Sequence, residues 1–342
     1  MSRLAHIELR AARIAAALVA LFFLATFAPL SLFKPLAVKP TTVIQFERLP
    51  LNSGEPGKRR VGALTYLQGW RLTSVNPRFG GISAIHVDGR NLIAVNDAGW
   101  SIRFPLPAEG EGHGQVRGMV QPLPDGPGRQ DVKSQRDAES LAVFGPHAWI
   151  AFERQNAVWR YSVGNWRSDA DIEPEVMRGW PRNSGSEGIV RLPGGGFLIF
   201  SEGAPASDGT KQVALFAGDP ALAGTESLAL RYRPPEGYRV TDAALLPDGR
   251  LLILNRRFTI WEGVSARLVL AQLPVFEPDA LIAGEVIAEL RRPDLVDNME
   301  ALSITREAGR TIVWMASDDN FMPLQQNLLL KFVLGDLPVG RD

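Results

Sequence analysis

Residues 241–257 read TDAALLPDGRLLILNRR, two short apolar runs joined by the turn Pro247–Arg250. An Asp-Gly pair between apolar runs is the strongest short-range signal for a β-hairpin. Polar residues flank the two runs, with Asp242 before the first and Asn255 after the second. Because a hairpin places the start of its first strand beside the end of its second, the segment predicts two polar side chains at one end of a sheet.

The same plan occurs five times along the chain. The spacings between equivalent positions are 58, 48, 55 and 58 residues, with the markers Gly81, Glu139, Glu187, Asp242 and Glu300. Most units carry a third apolar run, and four short strands at a period of roughly 40–50 residues are typical of a β-propeller blade. The sequence therefore predicts an all-β fold, with a β-propeller domain over residues 41–342.

The number of blades has two solutions. Five units cover residues 80–335, and two further strand-like runs precede them, at Thr42–Phe46 and Val61–Leu72. These runs either form most of a sixth blade or supply outer strands that close the ring with the C-terminal unit. Closure by both termini would remove free sheet edges. We favour six blades, with five as the alternative.

The N-terminal residues differ in character from the rest of the chain. Three arginines precede the apolar run Ile14–Phe33, which is 20 residues long. As a helix such a run spans about 30 Å, enough to cross a bilayer, and a basic flank before it is typical of an export signal. We predict a signal peptide or an uncleaved signal anchor helix over residues 1–33 and a linker over 34–40. The remainder would be periplasmic or extracellular, attached to the inner membrane if residues 14–33 are retained.

Composition excludes several classes of function. Lys+Arg and Asp+Glu both number 37, and the chain has no Cys. A net charge of zero provides no long-range attraction to nucleic acid, and the absence of Cys excludes disulfides, thiolate metal sites and a cysteine nucleophile. Common hydrolase and nucleotide-binding motifs are absent, and among four histidines only His113 is a candidate for a functional role. We expect a small-molecule substrate, no nucleic-acid partner and a monomer.

The repeat predicts that acidic side chains collect at one rim of a central channel. The hairpin pairs are Glu139 with Glu153, Glu187 with Glu202, Asp242 with Asn255, and Glu300 with Asp318, while Asp97 faces Gly81 or Ser83 in the first unit. Arg154, Arg256 and Arg257 follow the second strands of two units. A nearly neutral chain would thus present a locally negative pocket.

Two interpretations of this rim remain open. In the first, oxygen ligands from several blades hold a hard cation such as Ca²⁺, which accepts 6–8 oxygens. The candidate metal ligands are Asp97, Glu139, Glu153, Glu187, Glu202, Glu300 and Asp318. In the second, each acid caps strand ends or pairs with a neighbouring arginine and joins the blades. The second is favoured for any single acid, the first for the set.

Tryptophan residues fall at strand positions and are expected to pack within the blades. The tryptophans expected to be buried in this way include Trp149, Trp159, Trp261 and Trp314.

Several motifs, in order, resemble the phytase-like family described as "esterase-like activity of phytase". The matching pieces are DAESLA at 137–142, NSGSEG at 183–188, DGRLLIL at 248–254 followed by two arginines, and NMEAL at 298–302 followed by SDDNF at 317–321. The resemblance covers about residues 78 to 335 and implies an exported propeller. Asn255 stands where the family tends to have Glu, and Ala138 and Ser140 replace Pro and Gly.

The resemblance implies a hydrolase that acts on a carboxyl ester or phosphoester, without a catalytic triad to transfer. We predict catalytic roles for Glu139, Glu187, Glu300 and Arg257, with Arg154 beside them, and assistance by Ca²⁺. The carboxylates would bind metal or act as general base, and the arginines would stabilise a developing anion. The alternatives are a non-catalytic ligand- or partner-binding propeller at the membrane and a lactonase-type propeller with one Ca²⁺ or Zn²⁺ in its channel.

Overall fold

The computed structural model describes residues 40–108, 110–130, 132–206, 208–335 and 337. The predicted signal or anchor segment and nearly all of the predicted linker lie outside the described residues, so these two assignments stay predictions. None of the helices in the described part of the chain is both long and apolar enough to cross a bilayer.

The described residues form β-strands and two single-turn 3-10 helices, at Lys133–Gln135 and Glu175–Met177. This confirms the all-β prediction. The strands are β1 Thr41–Arg48, β2 Arg60–Val61, β3 Leu64–Thr73, β4 Ile82–Asp88, β5 Asn91–Asn96, β6 Trp100–Pro105, β7 His113–Pro122, β8 Ala138–Phe144, β9 His147–Phe152, β10 Ala157–Ser162, β11 Ser168–Ile172, β12 Ser186–Arg191, β13 Phe197–Pro205, β14 Lys211–Phe216, β15 Ser227–Tyr232, β16 Arg239–Leu245, β17 Leu251–Thr259, β18 Gly263–Ala271, β19 Leu281–Ile282, β20 Gly284–Arg291, β21 Met299–Glu307, β22 Arg310–Ser317 and β23 Asn327–Leu334.

The strands assemble into antiparallel four-stranded units arranged around an axis. In order, the units are β4–β7, β8–β11, β12–β15, then β16, β17, β18 and β20, and finally β21, β22, β23 and β3. The first strand of each unit contacts the first strand of the next, from β4 through β8, β12 and β16 to β21, and β21 contacts β4 again. First strands that close a ring in this way are the inner strands of a β-propeller.

The N-terminal strands do not form a separate sixth sheet, so the preference for six blades is not confirmed. β3 is the outer strand of the last unit, where Leu72 pairs with Asn327 at the start of β23. β1 pairs with both β3 and β7 and joins the first and last units into one ten-stranded sheet. β3 and β1 pair with the free edges of β23 and β7, and this gives them more backbone hydrogen bonds than a separate two-stranded sheet would have.

Aromatic packing within the last unit stabilises the closure of the ring. Trp70 on β3 and Trp314 on β22 are both fully buried, and their rings stack with centroids 6.5 Å apart. Trp149 is buried as predicted, and Trp159 is half-buried against Tyr161. Trp261 departs from the prediction, because it is 94% exposed at the tip of the β17–β18 hairpin.

Replacing Trp70 with Ala should weaken the closure between the two ends of the chain. The change removes a fully buried indole and its stacking on Trp314, and we expect a loss of about 3–5 kcal/mol in the free energy of unfolding. Urea denaturation of Trp70→Ala measures this loss, with Trp261→Ala as the control for an exposed residue of the same type. Equal effects of the two substitutions would contradict the assignment of Trp70 to the closure.

Candidate functional site

The inner strand of every unit carries a β-bulge at the same position. The shifts in register fall between Ile82 and Ala84, Ala138 and Ser140, Ser186 and Gly188, Val240 and Asp242, and Met299 and Ala301. The bulged residues are therefore Ser83, Glu139, Glu187, Thr241 and Glu300. A bulge leaves its residue out of the hydrogen-bonded ladder and re-aims the side chain, which is why bulges are common next to active sites.

A second set of equivalent residues follows the second strand of each unit. The backbone N–H of Asp97 donates to the carbonyl of Gly81, and Glu153, Glu202 and Asp318 make the same bond to the residue facing them in their own units. In the fourth unit Arg256 holds this place, since it pairs with Arg239. We call the two sets together the carboxylate ring, and the end of the propeller where they lie the carboxylate face.

The fourth unit corrects one predicted pair. Asp242 does not face Asn255; its carboxylate accepts the backbone N–H of Leu302, at 2.7 Å, and of Ala243, at 2.8 Å. Asn255 is buried and accepts a hydrogen bond from Tyr232. Asp242 thus joins the fourth unit to the fifth, as the structural interpretation of the rim expects.

Three carboxylates of the ring region lie close enough together to hold a metal ion. One oxygen each from Asp137, Glu139 and Glu153 lies within 4.8 Å of the others. Arg154 Nε lies 3.1 Å from Asp137 Oδ2, and Glu153 Oε1 accepts the backbone N–H of Gly185. Of the predicted ligands, the structure brings Glu139 and Glu153 into this group, which we call the second-unit cluster.

Asp137 was missing from the predicted ligands. The hairpin argument compared only strand ends and ignored the residue two positions before Glu139. The acidic pattern Asp-x-Glu at 137–139 brings a second carboxylate to the start of the same strand, and it is a signal that could have found Asp137.

The electrostatics of the second-unit cluster favour a bound cation. Burial, together with the charges of Glu187 and Asp137, raises the pKa of Glu139 well above its ordinary value. Burial and the charge of Asp137 raise the pKa of Glu153 to about 7. Like charges gathered in a buried place disfavour the ionised forms, and a cation between them reverses that cost.

The donor set of the second-unit cluster fits a hard cation. All three side chains offer carboxylate oxygens, which Ca²⁺ and similar ions prefer, whereas Zn²⁺ sites typically include His or Cys. The charge of Asp97 also acts on Glu139. The buried Oδ1 atom of Asp97 has no hydrogen-bond partner among the described residues. A buried oxygen without a partner is costly, but Asp97 is outside the second-unit cluster and its other oxygen pairs with Lys133.

Arg256 occupies a second centre of the ring. Its guanidinium places Nε 3.2 Å from Glu300 Oε1 and Nη2 3.7 Å from Glu202 Oε1. Burial would lower the pKa of Arg256, but Glu300 and Glu202 outweigh it and raise the pKa. Burial raises the pKa of Glu300 to about 7 although Arg256 acts in the opposite direction. Glu300 also accepts a hydrogen bond from Asn298, at 2.8 Å.

Asp97 and Asp318 form a third part of the ring, with Lys133. The Nζ atom of Lys133 pairs with Asp97 Oδ2. Burial, opposed by Lys133, raises the pKa of Asp97 to about 6. Burial and then the charges of Asp97 and Glu300 raise the pKa of Asp318 well above its ordinary value. Lys133 is a cation of this site that the hairpin pattern could not find, because it lies in a connection between two units.

Glu187 links these parts of the ring. Burial, followed by the charges of Glu202, Glu153 and Glu300, raises the pKa of Glu187 well above its ordinary value. Glu202 pairs with Arg239, at 3.3 Å, besides Arg256. Carboxylates from different units therefore act on one another across the carboxylate ring.

Two predicted candidates are not brought to the ring. Arg257 pairs with Glu262 and lies over the ring of Tyr238, 4.9 Å from its centroid, so Arg256 rather than Arg257 contacts the carboxylates. His113 is exposed at the start of β7, where it lies opposite Glu47 of β1, at the end of the strand away from the carboxylate face. Successive side chains of a strand point to opposite sides, which separates Arg257 from Arg256.

A groove beside Arg154 opens on the carboxylate face. Its volume of about 620 Å³ lies within the roughly 300–1,000 Å³ range of small-molecule sites. The lining comes from residues 134–135, 154–156 and 173–182 and includes three arginines, Arg154, Arg178 and Arg182. Arginine forms strong bidentate contacts with carboxylate and phosphate groups. The groove therefore suits a polar or anionic molecule next to the second-unit cluster.

Removing the charge of Glu300 should change how stability depends on pH. The pKa of Glu300 is about 7 in the folded protein, whereas a Glu in the unfolded chain has a pKa of about 4.3. Between these two pH values, the folded protein therefore holds a proton that the unfolded chain has lost. The free energy of unfolding should then fall as pH rises from about 4.3 to 7. In chelator, melting curves of Glu300→Gln should show a shallower fall than the parent, while exposed Glu285→Gln should not. The groups facing Glu300 (Arg256, Glu202, Asn298 and Asp97) stay in place, and an unchanged slope would contradict the burial of its charge.

Three solved structures illustrate a distant similarity in fold to this chain. Glutaminyl cyclase from Myxococcus xanthus aligns at a TM-score of 0.42 with 10% identity, covering 79% of this chain and 97% of that one. The computationally designed Ika4 protein aligns at 0.29 with 13% identity, covering 55% and 91%. The β-propeller domain of Cps50 (Swd1) from Myceliophteria thermophila aligns at 0.36 with 13% identity, covering 70% and 66%. Because these scores lie below 0.5, no property of those proteins is transferred to this chain.

A match to a family model agrees with the family that the sequence motifs indicated. No curated protein sequence matches the chain. The model described as phytase-like, "Esterase-like activity of phytase", matches residues 77–321. That span includes the second-unit cluster, Arg256, Glu300 and Asp318. The chain therefore belongs to the phytase-like family.

Proposed function

We propose that this protein is an exported hydrolase that cleaves a carboxyl ester or phosphoester at the carboxylate ring, assisted by Ca²⁺. The observation that carries the proposal is the second-unit cluster, in which Asp137, Glu139 and Glu153 converge within 4.8 Å. Membership of the phytase-like family supports hydrolysis. Export, and attachment to the membrane through residues 14–33, rest on the N-terminal sequence.

The cation would be held by Asp137, Glu139 and Glu153. When bound there, Ca²⁺ would supply positive charge that polarises the ester oxygen and offsets the negative charge of the transition state. The neighbouring groove, with Arg154 at its edge, would bind the rest of the substrate. Arg154 is fixed by its contact with Asp137, which leaves its guanidinium oriented before the substrate arrives.

Glu300 is the candidate general base. Its pKa of about 7 is close to neutral pH, where a base is most effective. Ionised Glu300 would take a proton from a water molecule, and the hydroxide would attack the carbonyl carbon or the phosphorus atom. The bond to the alkoxide oxygen breaks, and the alcohol leaves after receiving the proton from Glu300. Arg256, 3.2 Å from Glu300, takes the anion-stabilising role that the sequence analysis assigned to Arg257. Glu187 would contribute a further carboxylate to the ring.

A propeller that binds a ligand or partner without turnover is the alternative. The pairing of Glu202 with Arg239 and of Asp97 with Lys133 shows that part of the ring is neutralised by the chain itself. A ligand-dependent rise in melting temperature with no hydrolysis would favour this alternative.

Calcium binding should depend on the second-unit cluster. Isothermal titration of the metal-free protein with CaCl₂ is expected to show binding that weakens by about tenfold or more in Asp137→Asn and Glu139→Gln, because fewer charged ligands lower affinity. Asp171→Asn, an exposed acid outside the ring, is the control. Unchanged affinity in both cluster variants would place any bound ion elsewhere.

Hydrolysis should depend on the proposed base. With p-nitrophenyl acetate and p-nitrophenyl phosphate as substrates, we expect Glu300→Gln to lower kcat by about 10²–10⁴-fold, the usual contribution of a general base. EDTA should lower the rate and added Ca²⁺ should restore it. The control is Glu285→Gln, which should retain the parent rate. A parent protein with no turnover above a Glu187→Gln/Glu300→Gln double variant would falsify the proposed hydrolase.

A further inference from the structure

The carboxylate face carries an exposed apolar tip. The β17–β18 hairpin continues past the ring residue Arg256 to the pair Thr259 and Gly263, so its turn stands about 10 Å beyond the ring at 3.4 Å per residue. At this turn Phe258 is 65% exposed, Ile260 85% and Trp261 94%. Large apolar side chains this exposed and this close together are typical of an interaction site.

Two other connections add apolar side chains on the same face. Leu324, 81% exposed, lies between β22 and β23, six residues after the ring residue Asp318. Val75, 95% exposed, follows β3, whose Leu72 pairs with Asn327 at the start of β23. The apolar side chains thus come from the fourth and fifth units, which are neighbours in the ring.

The chain also enters the propeller on this face. The carbonyl of Pro40 accepts the backbone N–H of Val120, at 2.7 Å. Val120 lies near the end of β7, where Pro122 pairs with Trp100, three residues after the ring residue Asp97. The segment that joins the apolar run 14–33 to β1 therefore meets the propeller near the end of β7 that lies on the carboxylate face. Residues 34–40 can reach about 25 Å at most when fully extended.

We infer that the carboxylate face of the propeller lies against a lipid bilayer, with the tip residues Phe258, Ile260 and Trp261 inserted at the membrane interface. The inference rests on the proposed membrane attachment. A short connection from an apolar anchor to this face holds it towards the lipid, and aromatic side chains favour the interfacial region of a bilayer. The tip extends about 10 Å beyond the ring, so with its end inserted the ring would lie within about 10 Å of the lipid surface.

The opposite face is the natural comparison. It also carries an exposed apolar residue, Val275 at 82%, after Ala271, which pairs with Leu251 at the other end of the fourth unit. To bring that face to the bilayer, residues 34–40 would have to run back along a blade from Pro40, within a reach of about 25 Å. Val275 thus provides a matched control of similar exposure on the face that we place away from the lipid.

The test uses the absence of Cys in this chain. Full-length Trp261→Cys and Val275→Cys each offer one thiol for an environment-sensitive fluorophore, in phosphatidylcholine vesicles with and without spin-labelled lipid. We expect quenching at position 261 to be several-fold stronger than at position 275. Equal quenching, or stronger quenching at 275, would overturn the inference. A fluorophore at position 261 that is shielded from water but not quenched by the spin-labelled lipid, together with a cross-linked dimer, would also overturn the inference. The tip would then contact a second copy of the chain.

Flotation of the same vesicles separates the possible failures. A chain that does not float with the lipid refutes both the attachment and the inference, whereas a floating chain with an unquenched label at 261 refutes the inference alone. Neither readout involves turnover, so the hydrolase proposal fails or stands independently. Unchanged melting temperatures of the two variants show that the label sites have not altered the fold.

Discussion

Antiparallel pairing of β3 with β23 is the constraint on which the rest of the structure depends. It joins residues near the start of the propeller to those near its end, from Leu64 opposite Leu334 to Leu72 opposite Asn327. This pairing, with Trp70 stacked on Trp314, completes the last unit, whose inner strand β21 contacts β4 and so closes the ring of inner strands. Without disulfides, since the chain has no Cys, closure depends on backbone hydrogen bonds and buried apolar area.

A closed ring of inner strands explains the concentration of charge in this protein. Each inner strand carries a bulge at the same place, and Glu139, Glu187 and Glu300 occupy three of the five. Burial then raises their pKa values, because each carboxylate meets like charges from other units in place of water. The fold thus gathers buried acids whose ionised forms are disfavoured, and a cation placed among them would offset that cost.

Much of this arrangement could be predicted from the sequence because it follows from local patterns. The Asp-Gly turn at residues 248–249 and the repeat of apolar runs predicted hairpins and a propeller, and the motifs around Glu139 and Glu300 predicted the phytase-like family. The blade number could not be predicted, since the run Val61–Leu72 suits a sixth blade as well as an outer strand of the fifth. Only hydrogen bonding to β23 decides between them.

The sequence by itself determined the hairpins, the repeat and the acidic residues at their ends, because turn chemistry and alternation act over a few neighbouring residues. The tertiary structure decided which of those residues meet. A one-residue shift in register exchanged Asp242 for Thr241 and Asn255 for Arg256 in the ring, and a bulge is invisible to a count of alternating residues. Convergence of Asp137 with Glu139 and Glu153 likewise depends on strands that are fixed by the whole ring.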